Sequence, residues 1–156
     1  MEHVNTEDEL QLVTFLLAGE EYGLPITKVQ EINRFLPVTK LPQTPPFMEG
    51  IINLRGRIIP VLDLRKRFQL EVTAHDDDTR IIVVEISGQT VGLTVDAVRE
   101  VVRLGAASVE EPPSSVAVDS QYISGVGNLG DRLIILLDTD QILTNQEEIA
   151  VRQLNE

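Results

Sequence analysis

The chain contains two copies of one sequence unit, and this duplication restricts its possible folds more than any other feature. The segment Gly50 to Phe68 reads GIINLRGRIIPVLDLRKRF, and the segment Gly125 to Leu143 reads GVGNLGDRLIILLDTDQIL. At an offset of 75 residues, seven of these 19 positions are identical. Average composition would give about one or two identities by chance. The two segments therefore predict two homologous structural elements.

An earlier pair of segments extends the repeat. Gly19 to Arg34 and Gly88 to Arg103 share six of 16 residues at an offset of 69. The extra residues of the second copy fall in the Pro- and Ser-containing stretch Val109 to Gln121, which is typical of a loop. A repeat of about 70 residues is too long for a solenoid. It predicts two pseudo-symmetric subdomains, approximately 10–70 and 80–143, joined by the polar connection Glu71 to Arg80.

Both copies show the patterns of β-hairpins. The stretches 10–26 and 80–95 are apolar runs broken by turns, predicted at Gly19 to Glu21 and near Gly88 and Gln89. In the second motif, apolar segments flank the dipeptides Arg55-Gly56 and Gly130-Asp131. Each dipeptide contains a glycine that can adopt the positive φ of a tight hairpin. About ten short strands follow from these patterns.

Short helices and one proline complete the predicted secondary structure. Thr27 and Gln30 form a capping box that predicts a helix over KVQEINRF, and Asp63 and Asp138 can each cap a helical turn. Pro60 cannot donate a ladder hydrogen bond, which predicts an edge strand or a bulge. A C-terminal helix is predicted from the spacing of Ile149, Val151 and Leu154. The fold class is therefore all-β, with two small barrels and few helices.

Composition excludes several classes of function. The chain has 156 residues, no cysteine and a net charge of -12, which disfavours thiol chemistry and binding to nucleic acid or anionic membrane. Its longest apolar run is Leu133 to Leu137, far short of the roughly 20 residues that span a bilayer. The N-terminal segment MEHVNTEDELQ lacks the pattern of a secretory signal. These features predict a cytoplasmic protein with a flexible acidic N-terminus.

The charge is distributed unevenly. Five basic residues lie in the segment 50–68, which has a charge of +4 and leaves -16 on the rest of the chain. These residues are Arg55, Arg57, Arg65, Lys66 and Arg67. A basic spot on an acidic body suits a protein partner with an acidic patch. A solvated turn and a solvated helical face explain the same residues equally well.

Residues typical of catalysis or metal binding are sparse. The two histidines, His3 and His75, fall in a predicted disordered end and a predicted loop, and neither has a partner at metal-ligand spacing. The acids Asp76 to Asp78 lack the spacing of a calcium loop and indicate a solvated linker. We therefore predict no enzyme activity, no metal site and no cofactor. The six aromatic residues are expected in the core rather than on a surface that stacks nucleic-acid bases.

Three stretches resemble the CheW family of chemotaxis coupling proteins. They are EEYGLPITKVQEI, LPQTPPFMEGIINLRGRIIPVLDLRKRF and YISGVGNLGDRLIILLD. The resemblance covers about Leu10 to Leu143, and the block Asn53 to Leu64 is its most specific part. It implies one CheW-like domain over 1–156, made of two intertwined, pseudo-symmetric, five-stranded SH3-like barrels around a shared core. Since no kinase, phosphotransfer or receiver sequence accompanies the domain, the free-standing adaptor is the match.

The resemblance also implies a function. Members of this family link the cytoplasmic tips of methyl-accepting chemoreceptors to the histidine kinase CheA, through its regulatory domain, and support array assembly. It implies recruitment to membrane-associated receptor arrays without insertion into the membrane, and rings that contain further copies of the chain. An adaptor of another chemosensory pathway, such as surface motility, is one alternative. A nucleic-acid-binding small barrel that uses the basic cluster is a more distant one.

The expected functional residues follow from position in the family pattern. Receptor contacts are expected at Val29, Gln30, Glu31, Ile32, Val98 and Val101, and a partner-binding turn at Asn53, Leu54, Arg55 and Gly56. Arg55 ranks first, because the duplicate turn has Gly130 in its place and a hairpin therefore does not require the arginine. Arg57 and Arg132 occur in both copies and are expected to be structural, pairing with a shared acid.

Two of these expectations have structural alternatives. Glu31 and its counterpart Glu100 could pair with the arginines three residues on, Arg34 and Arg103. Val29 and Ile32 could belong to the core.

Overall fold

The computed structural model describes residues 9–112, 120–144, 147–148 and 151–152. The first sequence unit contains five strands and a short helix, which are β1 (Glu9–Leu17), β2 (Glu20–Pro25), β3 (Val29–Arg34), β4 (Met48–Leu54), β5 (Arg57–Asp63) and α1 (Leu64–Arg67). The second unit contains β6 (Arg80–Ile86), β7 (Gln89–Val95), β8 (Ala97–Gly105), β9 (Val109–Glu110), β10 (Ile123–Asn128) and β11 (Leu133–Leu137). Short 3-10 turns lie at Ile26–Lys28, Ala106–Ser108, Ser120–Tyr122 and Thr139–Gln141. The predicted all-β class is confirmed.

The two sheets exchange strands between the sequence units. Sheet A has the order β8-β1-β2-β11-β10-β9, and sheet B has the order β3-β6-β7-β5-β4. The first hairpin of each unit therefore pairs with the remaining strands of the other unit. The parallel pairs at the crossing have the same register, since Leu136 pairs with Gly23 and the equivalent Val61 pairs with Gly92. The segments 10–70 and 80–143 thus describe the sequence repeat, whereas each sheet contains strands of both.

The hairpin turns use two turn types. In the turns Ala18-Gly19, Arg55-Gly56 and Ser87-Gly88, both central residues have positive φ, as a type I′ turn requires. The first and third of these turns begin before the predicted positions, because β2 and β7 already start at Glu20 and Gln89. Between β10 and β11, Gly130 has φ of 90° while Asp131 does not have positive φ, and the Leu129 N–H donates to the Arg132 carbonyl at 3.0 Å. This is the arrangement of a type II′ turn.

The predicted helix over KVQEINRF is wrong. A 3-10 turn ends at Lys28, and β3 then pairs with β6 from Val29 to Arg34. Burial alternates along β3 with a period of two, because Val29, Glu31 and Asn33 are half-buried while the residues between them are exposed. Pairing to β6 and this two-residue period override the local capping signal. The helical caps at Asp63 and Asp138 are confirmed, since each carboxylate accepts backbone N–H bonds of the following turn.

Pro60 lies in β5, which is an interior strand of sheet B rather than the predicted edge strand. Pairing of β5 to β7 begins only at Val61, so the missing N–H of Pro60 interrupts no part of that ladder. A register shift between Met48 and Gly50 in the neighbouring β4 lies opposite Leu62 and Val61.

Three apolar clusters hold the sheets. The largest contains residues of both units and includes the ring contacts Phe15–Tyr22, Tyr22–Phe68 and Phe68–Tyr122. Burial raises the pKa of Tyr22 to about 12. A second cluster forms on β4, β5 and β6, and a third on β1, β8 and β11. The central cluster is therefore shared by the two sequence units.

The end of the chain packs onto this central cluster. Glu147, Glu148, Val151 and Arg152 are helical, and Val151 is buried in the cluster. Ile149 and Leu154, which supported the predicted C-terminal helix, lie outside the described residues, as does the acidic N-terminal segment 1–8.

Candidate interaction surface

The first predicted receptor segment is the strand β3, which lies at one end of the strand order of sheet B. Val29 packs against the central apolar cluster, so the alternative of a core role describes this residue in part. Gln30 is exposed, and the side chain of Ile32 is 41% exposed. An isoleucine this open is not core. The strand therefore presents Gln30, Ile32 and, at its end, Arg34 to solvent.

The second predicted receptor segment is β8, at the end of sheet A. Val98 packs against the same central cluster as Val29, its equivalent in the other unit. Val101 is 56% exposed and is the equivalent of Ile32. The duplicated chain therefore places the same pattern, one anchored valine and one exposed aliphatic side chain, on two strands of different sheets.

The turn 53–56 divides into structural residues and one solvent-facing side chain. Asn53 Oδ1 accepts the Gly56 N–H at 2.9 Å, and the equivalent Asn128 Oδ1 accepts the Gly130 N–H at 2.8 Å. Leu54 is buried in the cluster of sheet B. The Arg55 side chain is 68% exposed. Asn53, Leu54 and Gly56 thus build the hairpin, and Arg55 is the part of the turn that a partner can reach.

Arg55 forms an ion pair with Glu31 of β3. Asn33 Nδ2 donates a second hydrogen bond to this carboxylate, at 3.1 Å. The hydrogen bonds from Arg55 and Asn33 lower the pKa of Glu31. Glu31 therefore pairs with the turn arginine and not with Arg34, which was the structural alternative. The pair joins two predicted sites, β3 and the turn, into one surface.

The second unit has the equivalent acid, but an arginine at a different position pairs with it. Glu100, equivalent to Glu31, accepts a 2.5 Å hydrogen bond from Arg132 Nη2. This hydrogen bond raises the pKa of Arg132. Arg132 Nε also lies 3.2 Å from Oε1 of the buried Glu21, and Arg99 lies 3.6 Å from the same oxygen. Glu100 therefore pairs with Arg132, not with Arg103 as the structural alternative proposed.

Arg57 does not share the acid of its counterpart Arg132. Its Nη2 donates to Thr90 Oγ1 at 3.1 Å, and Thr90 is the residue equivalent to Glu21. Arg57 thus contacts the position equivalent to that of Glu21, but through one exposed hydrogen bond, and the expected acid is present in one copy alone.

Two further exposed aliphatic residues were not predicted. Ile58 is 45% and Leu133 58% exposed, and they occupy equivalent positions of the two units. With Ile32, Val101 and Val72 they make up the large exposed hydrophobic residues in the described part of the chain. Their signal was present in the sequence, because an aliphatic residue follows the arginine of each second hairpin.

The predicted basic spot is smaller than its sequence suggested. Arg65 is 15% exposed and donates to Asp96 at 2.8 and 2.5 Å. This contact raises the pKa of Arg65; at Asp96, burial opposes ionisation, but the bonds from Arg65 and the Ala18 N–H give a net lowering of the pKa. Arg67 is 10% exposed and pairs with Glu147. Helix α1 therefore turns two of its arginines inward.

Arg67 also stacks on aromatic rings. Its guanidinium carbon lies 4.4 Å from the centre of the Phe47 ring and 5.3 Å from that of Tyr122. The basic residues of the segment left on the surface are Arg55, Arg57 and Lys66.

Fold and surface together define a class. It is an all-β protein that has exposed aliphatic side chains and surface ion pairs at equivalent positions of its two units. Residues 11–147 match the CheW-like domain family. The chemotaxis protein CheW of Klebsiella aerogenes is 38% identical over 142 residues, covering 90% of this chain and 86% of that protein. The CheW of Helicobacter pylori is 32% identical over 139 residues, covering 89% and 84%.

A solved structure extends the likeness to the fold. The scaffolding protein TtCheW from Thermoanaerobacter tengcongensis superposes with a TM-score of 0.82 at 44% identity, covering 88% of this chain and 96% of that one. The chain belongs to the CheW family and is a chemotaxis adaptor. That family comprises scaffold proteins rather than enzymes. Among the described residues, no helix is long and apolar enough to cross a membrane.

Proposed function

We propose that the chain couples the cytoplasmic tips of methyl-accepting chemoreceptors to the regulatory domain of the histidine kinase CheA and supports their assembly into arrays. The observation that carries the proposal is the CheW-like match over residues 11–147, almost the entire chain. The protein acts in the cytoplasm, as a single domain of two intertwined subdomains, and is recruited to receptor arrays at the membrane. Kinase domains and further copies of the chain are its neighbours in rings.

The receptor contacts are assigned to β3 and β8. Ile32 and Val101 offer exposed apolar anchors, which suits the packing of an amphipathic helix such as a receptor tip. Val29 and Val98 belong to the same two strands and pack against the central cluster. The two exposed anchors therefore lie on strands that the core supports. Gln30 and Glu31 add polar contacts that orient the partner.

The turn arginine provides the partner-binding charge. Arg55 is oriented by Glu31 but is still mostly exposed, and its backbone φ of 53° is a conformation that favours glycine or asparagine. The hairpin would tolerate glycine at this position, as the equivalent Gly130 demonstrates in its own turn. An arginine at this position is consistent with recognition of an acidic group on a partner.

The test is receptor control of kinase activity in a reconstituted mixture of receptor fragment, kinase and adaptor. We expect Arg55→Glu to fold normally and to reduce coupling several-fold, because it places two carboxylates together and reverses the charge that the partner meets. Arg55→Gly, which copies the second turn, separates loss of the arginine from charge repulsion. Lys66→Glu is the matched control, an equal charge reversal at another exposed basic residue.

Two results carry different consequences. Full receptor control with folded Arg55→Glu would remove Arg55 from the site and leave the coupling function intact. Failure of the unmodified chain to capture both a receptor cytoplasmic fragment and a kinase regulatory domain would contradict the function itself.

A further inference from the structure

Three side chains from separate parts of the chain meet beside the connection between the two units. They are Glu49 of β4, Asp63 at the end of β5, and His75 of the connection, and one ligand atom from each lies within 4.8 Å of the others. The side chain of Glu49 is 9% exposed and Asp63 is 4% exposed. Two carboxylates are therefore held together, almost out of contact with water.

Neither carboxylate of this pair is fully neutralised by a neighbouring side chain. Asp63 Oδ1 accepts the backbone N–H groups of Arg65 and Lys66, and Asp63 is in no ion pair among the described residues. Glu49 Oε1 lies 2.8 Å from His75 Nε2. The guanidinium of Arg65 acts on Asp63 at longer range and makes its two direct hydrogen bonds to Asp96. Two buried carboxylates this close are costly unless a cation joins them.

A small cavity of about 90 Å³ adjoins the cluster and is lined by Asp63, His75 and Thr94, among others. Thr94 is 3% exposed, and among the described residues its hydroxyl oxygen has no hydrogen-bond partner. Thr94 lies opposite Asp63 in the parallel pairing of β7 with β5, so the cavity holds an unpartnered buried polar group. The cavity has room for water molecules that would complete a coordination shell.

His75 is held in place from its other side. Its ring centre lies 4.2 Å from that of Phe35. This ring contact does not use the nitrogen atoms of the imidazole, so they stay available to a metal ion.

We propose that Glu49, Asp63 and Nε2 of His75 form a binding site for a divalent transition-metal ion of the zinc class. Imidazole with two carboxylates is a donor set for zinc, whereas calcium takes about six to eight oxygen ligands and magnesium retains most of its water. Zinc–ligand bonds of about 2.0–2.2 Å place neighbouring ligand atoms roughly 3.3–3.6 Å apart, so the widest separations, up to 4.8 Å, must close by about 1 Å or slightly more while the 2.8 Å Glu49–His75 contact opens. The ion replaces the Glu49–His75 hydrogen bond, and water from the cavity takes the open position.

Bound metal would fasten the connection between the units to β4 and β5. This consequence is independent of coupling, so it is measured on the protein alone. The full chain, stripped with a chelator, is titrated with zinc chloride by calorimetry and then unfolded by heat with and without zinc. We expect one ion per chain and a rise of a few degrees in the unfolding temperature at saturating zinc.

Two variants and a control locate the site. We expect His75→Gln and Glu49→Gln to weaken zinc binding at least tenfold and to abolish the thermal shift, while circular dichroism remains unchanged. His3→Gln is the control, since His3 is the other histidine of the chain, and it should bind as the unmodified protein does.

Three results would overturn the proposal. They are no binding of millimolar zinc, binding that is unchanged in both His75→Gln and Glu49→Gln, and a preference for calcium or magnesium over zinc.

Discussion

Sheets A and B have the same strand plan but different side-chain chemistry at their equivalent surfaces. On sheet B, Glu31 pairs with Arg55 of the turn, and Arg57 bonds the neutral Thr90. On sheet A, Glu100 pairs with Arg132, which also lies beside the buried Glu21. Both sheets have the acid, Glu31 on β3 and Glu100 on β8, and both have the exposed aliphatic residues. The arginine that pairs with the acid comes from a different position in each sheet.

The difference originates in the turns. The type I′ turn of sheet B places Arg55 at its first central position, while the type II′ turn of sheet A has Gly130 there, with no side chain to offer. Glu100 therefore relies on the next arginine along the chain, Arg132. The two units share a scaffold, but only the turn of sheet B has an arginine at its first central position, which separates residues that build the fold from a residue available to partners.

The largest effect expected concerns the exchange of strands itself. Because each sheet needs a hairpin from the other unit, we expect the fragments 1–78 and 79–156 each to lack a cooperative unfolding transition when expressed alone. Mixing them should restore the transition, as seen by circular dichroism and the amide spectrum. A folded, cooperative single fragment would show that the two sheets are separable.

The second prediction compares two equivalent leucines. Leu54 is buried in the cluster of sheet B, while Leu129 is half-buried beside that of sheet A. We expect Leu54→Ala to lower the free energy of unfolding by about 2–3 kcal/mol and Leu129→Ala by about 1 kcal/mol, since the cost follows the packing lost. Urea denaturation measures both. Equal losses would mean that the two clusters are equally packed at this position.

The third prediction concerns a partially buried ion pair at helix α1, Arg65–Asp96, that has no counterpart in the other unit. Arg65 and Asp96 have Asp140 and Thr27 as their equivalents, which cannot form such a pair. Asp96→Asn should cost about 1 kcal/mol at neutral pH, allowing for partial solvent screening.

The pH dependence of this loss follows from the sign of the pKa shift. The pKa of Asp96 is lower in the folded protein, so its stabilisation is complete above the ordinary aspartate pKa and disappears as the pH falls through the folded value. The difference between Asp96→Asn and the unmodified chain should therefore vanish in acid. A difference that persists at low pH would assign the effect to packing rather than charge.

The smallest effect expected concerns Arg132 and Arg57. Arg132→Ala leaves the buried Glu21 with Arg99 alone, at 3.6 Å, and should lower the urea midpoint measurably. Arg57→Ala removes one exposed hydrogen bond to Thr90 and should leave the midpoint within error. A larger loss for Arg57→Ala would reverse the conclusion that sheet A depends more on its ion network.

Local sequence patterns predicted the strands and turns but not their partners. The Arg55-Gly56 hairpin and the caps at Asp63 and Asp138 depend on residues close in sequence, and the structure confirms them. The helix expected over KVQEINRF failed because pairing to β6, some 50 residues away, decided the conformation. Arg67 appeared to be a surface charge because its partners, Phe47, Tyr122 and Glu147, are distant along the chain.

The sequence by itself determined that the protein is a duplicated all-β chain of the CheW family, because repeats, turn residues and apolar runs are read directly along the chain. Tertiary structure alone decided that the sheets exchange hairpins, that Glu31 meets Arg55, and that Glu49, Asp63 and His75 converge. The physical reason is that strand order and ion pairing are contacts between distant residues, and their free energies depend on burial and geometry that no local pattern contains.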